Sequence, residues 1–273
     1  MKKMLSLITV FALVFVSCGG GKKEEPKKEK EVVHDTVVVT EAPPKDSFMV
    51  YGFLEFPSKD GLLISANSYE ITNSHQYILL CHQAGYSRGE YKETAKKFNE
   101  LGYNCLAIDA RSGDECNDMV NETAKRAKAA KKGTTYLDAE QDIIAAIEYI
   151  SGKTGQKVVL CGSSYSASLA LKIGKENENV EAVLAFSPGE YMRDVNLAET
   201  IKGFNKPVFI TSAKSEVKDY EGIAAAIEST IKDIFVPAEE GIHGSSALWE
   251  ETKNHTEYWA AVEKFLEKLK AQS

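Results

Sequence analysis

From residue 77 onward, apolar residues follow two alternating rhythms. Short, mainly apolar runs at 77–81, 104–108, 158–161, 180–186, 207–210 and 234–236 have the length and near-continuity of strands covered on both faces. Between them, apolar residues recur every three or four positions: Tyr91, Ala95, Phe98 and Leu101; Ile143, Ile147 and Ile150; Ile223, Ile227 and Ile231; Trp259, Val262, Leu266 and Leu269. Each set is one stripe of an amphipathic helix. Gly102 closes the first, and a further helix, 164–173, follows the 158–161 run directly. Upstream, 48–56 and 62–71 read as a hairpin turning at Asp60-Gly61. Strand–helix alternation after an antiparallel start predicts an α/β fold: a mostly parallel twisted sheet, helices on both faces, and N-terminal antiparallel strands.

The first 47 residues break this pattern. Met1-Lys2-Lys3 precedes an apolar stretch, 4–16, and then Ser17-Cys18-Gly19-Gly20-Gly21. A basic start, a short apolar region and small residues at the cut site make a signal peptide, too short to serve comfortably as a permanent span. A small residue directly before Cys18 resembles the lipobox of bacterial lipoproteins, although Phe15 stands where leucine is usual. That resemblance implies removal of residues 1–17, lipidation of Cys18, and a lipid-anchored place in the bacterial cell envelope. Residues 18–47, rich in Gly, Lys, Glu and Pro, read as a disordered tether. The expected folded domain is 48–273.

Charge changes the picture little. The chain carries 33 basic and 40 acidic residues; beyond residue 47 the balance is 25 against 33. An acidic domain lacks the basic face that nucleic-acid binding needs. Of five cysteines, Cys81, Cys105, Cys116 and Cys161 are left after Cys18, and three of them lie in apolar runs. They read as free thiols acting as small hydrophobes. No Cys/His spacing suits a metal, so neither a metal nor another cofactor is expected.

The informative stretch is Gly162-Ser163-Ser164-Tyr165-Ser166, between the 158–161 run and the following helix. A G-x-S-x-G sequence at such a junction makes a sharp turn exposing its central serine at a helix N-terminus. Here Ser166 replaces the second glycine.

With these residues in hand, 50–270 resembles the α/β-hydrolase superfamily, specifically its small dienelactone-hydrolase-like members. His82-Gln83-Ala84-Gly85 stands where the family has its HGxG oxyanion loop, with Gln83 in place of the first glycine; Asp109-Ala110-Arg111-Ser112-Gly113 stands where the family commonly shows D-x-R-G-x-G. The resemblance implies Ser164 as nucleophile, then an acid, then a histidine base. Of the two histidines after Ser164, His243, followed by Gly244, is preferred to His255 at the start of the last helix. Glu216 is preferred as the acid, with Asp219 as the alternative. Backbone N–H groups of Tyr165 and of Gln83 or Ala84 form the implied oxyanion hole, and His82 is read as a structural hydrogen-bonder.

About 20 residues separate Ser187 from Lys206, too few for a large cap domain. An open cleft is expected, with Tyr86, Tyr165, Tyr191 and Met192 as candidate lining or packing residues. The segment 110–135, with its basic run 124–132, is read as a solvated helical surface in preference to a cover over the cleft. The expected activity is hydrolysis of small or extended carboxylic esters through an acyl-enzyme, with membrane contact through the N-terminal lipid and no obligate protein partner. The alternatives are a peptidase or amidase on the same triad, and an inactive surface binding lipoprotein retaining the fold.

Overall fold

The computed structural model describes residues 36–37, 49–72 and 74–272; the leader, Cys18 and most of the expected tether lie outside them. Nine strands form one sheet in the order β1-β2-β3-β5-β4-β8-β9-β10-β11. They are β1 (Thr36–Val37), β2 (Met49–Pro57), β3 (Leu63–Ile71), β4 (Tyr77–Cys81), β5 (Asn104–Ile108), β8 (Val158–Ser163), β9 (Val180–Phe186), β10 (Val208–Thr211) and β11 (Lys232–Phe235). β6 (Glu115–Cys116) and β7 (Met119–Val120) pair only with each other. The first strands pair antiparallel, through β3 on β5, and everything from β5 to β11 is parallel. The helices are α1 (Thr94–Glu100), α2 (Glu122–Ala129), α3 (Glu140–Thr154), α4 (Tyr165–Glu176), α5 (Leu197–Thr200), α6 (Val217–Ala225) and α7 (His255–Lys270).

Strand alternation explains both layers. Leu79, Cys81, Leu106, Ile108 and Leu160 point to one face and pack with Ile143 and Ile147 of α3 and Leu169 of α4. Ile78, Leu80, Cys105, Ala107, Val159 and Cys161 point to the other, against Phe98 of α1 and Trp259 and Phe265 of α7. With both faces covered, unbroken apolar strands are stable, each large buried side chain contributing about 1.5–3 kcal/mol. Chain order reverses between β4 and β8, since β4 leads to β5 on one side and pairs with β8 on the other. The crevice outside the carboxyl ends of strands at such a point is the usual ligand site of open α/β sheets.

The hairpin turn is where the sequence put it: Ser58 N–H donates to Leu62 O (2.7 Å) and Leu62 N–H to Asp60 Oδ1 (3.1 Å). Other expectations need correcting. The sheet does not begin at 48, because Thr36 and Val37 pair with Phe53 and Gly52. An edge strand offers unpaired backbone groups, and a β-branched stretch within the expected tether takes them up. The stripe Ile223–Ile227–Ile231 is not one helix: α6 stops at Ala225, Ile227 bridges to Phe204, and Ile231 is buried just before β11. Within 110–135, α2 lies against the N-terminal hairpin. Thr123 Oγ1 accepts Ser65 N–H (2.9 Å), and Arg126 reaches Glu55 (2.6 Å). The basic run is thus spent partly on hairpin acids.

Candidate active site

The turn between β8 and α4 has the geometry its residues require. Ser164 has φ 58° and ψ −123°, a strained position for a residue with a Cβ, held by the strand before it and the helix after it. A Cβ on Gly162 would lie 2.3 Å from Ser166 O, so only glycine fits there. Ser166 turns out to be a rivet. Its hydroxyl accepts the Ser163 N–H (2.8 Å) and lies 2.7 Å from Cys81 O, tying the turn to β4. Ser164 itself is 7% exposed, at the head of α4, and its own N–H donates to Phe186 O (2.8 Å).

Glu216 ends a single 3₁₀ turn, Lys214–Glu216, after β10. Its Oε1 lies 2.6 Å from His243 Nδ1. Oε2 accepts from Ser187 Oγ (2.6 Å) and from Ala213 N–H (3.2 Å), so the carboxylate has little freedom. Burial pushes Glu216 up, but the bonds from His243 and Ser187 outweigh it and hold the carboxyl below its ordinary range. The same bond raises His243 above the ordinary imidazole value; burial opposes this, and the charges of Glu216 and Glu90 add to it. With Nδ1–H assigned to Glu216, Nε2 is the free basic nitrogen, on a side chain 40% exposed. Ser187 Oγ accepts Gly244 N–H (2.9 Å), which seats the loop carrying His243 on the end of β9. Gly244 is required there: its φ is +73°, and a Cβ would lie 2.6 Å from both Ser163 Oγ and Gln83 Oε1. Ser164 Oγ makes no hydrogen bond to the imidazole in this conformation, and such contacts are often loose in unliganded sites.

Asp219 is exposed in the first turn of α6, and no hydrogen bond joins it to His243. Ser215, one residue before Glu216, turns to the surface and bonds Glu240. His255 starts α7 with Nδ1 on Thr252 O (2.8 Å). His82 is wholly buried; Nδ1 donates to Gln83 O (2.8 Å) and Nε2 accepts from Ala110 N–H (3.0 Å) and from Asn121 (3.1 Å). Both nitrogens are used, as a structural residue requires.

One oxyanion candidate has to be withdrawn. The Gln83 N–H donates to Glu90 Oε2 (2.7 Å) and is not available to a ligand. The N–H groups of Ala84 and Tyr165 have no partner among the described residues. Tyr165 and Met192 are buried packing residues, the former stacked on Tyr136 with centroids 4.5 Å apart. Tyr191 and Tyr86 are half-buried. Tyr191 donates to Ser187 O (3.1 Å) and stands beside Ser164, while Tyr86 stacks on Trp249 (6.3 Å). Between β9 and β10 the one helix is the four-residue α5, so that segment inserts no cap domain over the crevice.

Three contributors carry no mark in the sequence: Ser187, which steadies Glu216 and Gly244, and Ser163 and Ser245, joined through Ser245 N–H to Ser163 Oγ (2.8 Å). Serines are too common for any of them to stand out. Cys81, Cys105, Cys116 and Cys161 are buried free thiols that burial pushes above the ordinary thiol range. Among the described residues, no cluster of three or more His, Cys, Asp or Glu side chains is placed to hold a metal ion.

Residues 69–243 match the sequence model of the dienelactone hydrolase family, a span running from β3 to His243. No curated protein sequence matches the chain. Solved structures share the fold at low identity. An esterase from Pyrococcus furiosus superposes with a TM-score of 0.62 at 19% identity, covering 85% of this chain and 97% of its own. A dienelactone hydrolase from Anabaena variabilis gives 0.62 at 14%, covering 81% and 98%. Acetyl xylan esterase 1 from a Thermoanaerobacterium species gives 0.61 at 13%, covering 87% and 88%.

Proposed function

Because the chain belongs to the dienelactone hydrolase family, we propose that it is a serine hydrolase of carboxylic esters, with Ser164, His243 and Glu216 as its triad. The observation that carries this reading is the 2.6 Å bond between Glu216 and His243 Nδ1, in a loop seated on the strained turn that holds Ser164. His243 Nε2 takes the Ser164 hydroxyl proton as Oγ attacks the acyl carbonyl. Glu216 fixes the tautomer and stabilises the imidazolium that results. The negative charge developing on the carbonyl oxygen falls to the N–H groups of Tyr165 and Ala84, the former at the head of α4. His243 then returns its proton to the leaving alkoxide, and water, activated the same way, releases the acid from the acyl-enzyme. Esters are favoured over peptides because the crevice carries no cap or further peptide-anchoring element among the described residues. The solved structures of similar fold include proteins named as esterases.

The test is labelling with a fluorophosphonate together with turnover of short p-nitrophenyl acyl esters. Labelling and turnover are expected in the wild type, and Ser164→Ala is expected to abolish the first and lower the second by about 10⁴-fold or more. A folded wild type that neither labels nor turns over would refute the reading and favour the binding-protein alternative.

Lipidation of Cys18, and with it an envelope location, belongs to the same proposal. It is supported by the leader sequence alone. Incorporation of labelled fatty acid that is lost in Cys18→Ala checks it.

A further inference from the structure

Glu90 sits in a single 3₁₀ turn, Arg88–Tyr91, and is 1% exposed. Its Oε2 accepts the Gln83 N–H (2.7 Å); its Oε1 accepts the hydroxyls of Ser163 (2.8 Å) and Ser245 (2.6 Å). Ser245 N–H closes the ring on Ser163 Oγ (2.8 Å), and the Trp249 indole N–H donates to Glu90 O (2.8 Å). One side chain therefore holds partners 7, 73 and 155 residues away: the loop after β4, the residue before the nucleophile, and the second residue after the base.

Every donor to this carboxylate is neutral. Burial pushes the Glu90 carboxyl upward, and the bonds from Ser245, Gln83 and Ser163, with nearby His82, oppose that shift. The titratable groups around it are His82 from the loop after β4, Cys81 of β4, Cys161 of β8, Cys116 of β6, the adjoining Tyr91, Tyr165 of α4, and His243. Among these, His243 is the group that acquires a positive charge during acyl transfer.

We propose, resting on the reading of Ser164 and His243 given above, that Glu90 is a positioning residue of that reaction. It locks the nucleophile turn, the base loop and the oxyanion loop into one frame, and through Ser245, two residues after His243, it sets a second carboxyl close to the base. It also draws Gln83 N–H out of the oxyanion hole, leaving that hole to Ala84 and Tyr165. A glutamine at position 90 would aim its amide NH2 at a row of donors, and the Gln83 N–H cannot turn to accept.

The experiment compares wild type, Glu90→Gln and Ser245→Ala by NMR titration of the His243 ring and by pH profiles of kcat/KM. Glu90→Gln is expected to move the His243 titration, and with it the acid limb, to lower pH. It is also expected to lower kcat about 10²-fold with little change in KM. Ser245→Ala keeps the charge and removes one anchor, so kcat should fall several-fold with no shift of the limb. An unshifted His243 titration in Glu90→Gln overturns the electrostatic role. Wild-type kcat in Ser245→Ala overturns the framing role, and does so even if Glu90→Gln fails to fold. The ring titration needs no turnover. A wild type inert toward esters would thus defeat the proposed function without deciding the link between Glu90 and His243, which the titration settles by itself.

Discussion

Two of the buried carboxyls that join segments of this fold, Asp142 and Glu90, are built differently. Asp142 of α3 faces Arg111, which gives it two side-chain bonds (2.7 and 2.9 Å) and its backbone N–H (2.9 Å); Ser58 adds a hydroxyl (2.7 Å). Arg111 continues to Asp60, which also takes Lys132 (3.0 Å). The hairpin turn, the loop after β5 and α3 are thereby joined with charge matched to charge. The Arg111 cluster pulls Asp60 far below the ordinary carboxylate range, with the Arg111 hydrogen bond the largest influence. Glu90 joins three segments too, but only neutral donors meet it. Burial drives Glu90 upward, opposed by its bonds from Ser245, Gln83 and Ser163 and by the nearby His82. Where the fold needs only a joint, the charges cancel. Beneath the proposed site a carboxyl is left with no cationic partner bonded to it, and in the proposed reaction His243 is the nearby group that gains a positive charge.

That contrast can be broken or sharpened in several ways. The largest effect is expected from a third carboxylate, Glu216, the one bonded to His243. Glu216→Gln should reduce kcat by about 10⁴-fold, measured as initial ester turnover, with the fold intact by circular dichroism. A loss under tenfold would place the decisive anion elsewhere, Glu90 first. Next comes Asp142→Asn, which leaves the buried Arg111 guanidinium with Asp60 as its one carboxylate partner. It should cost about 3–5 kcal/mol in urea unfolding and leave the acid limb where it was. A shifted limb would erase the distinction between the two regions.

The pH profile itself is the third test. His243 must be neutral to act as base, and its folded value lies above the ordinary imidazole value, raised first by the hydrogen bond to Glu216. kcat/KM should therefore rise with pH through a midpoint above about 6.5, and that midpoint should fall in Glu216→Gln. The smallest effect is expected from Ser166→Gly, which restores the family's glycine but removes the rivet between Ser163 N–H and Cys81 O. About 1–3 kcal/mol of stability should be lost, with the ester preference unchanged.

Much of this was legible in the chain. Mainly apolar runs and helical stripes located the parallel strands and most helices, because a sheet covered on both faces leaves that signature whatever its neighbours are. Gly162 to Ser166 announced a strained turn, and His243-Gly244 carried its own constraint, since the base loop packs too closely for a Cβ. Register after β10 pointed to Ser215, and Glu216 was preferred as its carboxylate neighbour. Boundaries were less so. Ile227 and Ile231 continue the stripe of α6, yet they are buried by Phe204 and the start of β11 rather than by a longer helix. Thr36 and Val37 show β-branched character that becomes a strand only because β2 offers an open edge.

Local composition and spacing, then, determined the α/β layers and the strained turn at Ser164, each dictated by residues a few positions apart, while His243 was singled out by the family resemblance. The tertiary structure alone decided which donors are free. Gln83 and Ala84 are neighbours on one loop, and nothing in the chain distinguishes their N–H groups until Glu90 takes one of them. Ser187 becomes a support for Glu216 only when β9 and β10 lie side by side, and Ser163, Ser245 and Glu90 become one network only after a closure of 155 residues. A hydrogen bond depends on where two atoms finish in space, and over such separations only the folded chain brings them together.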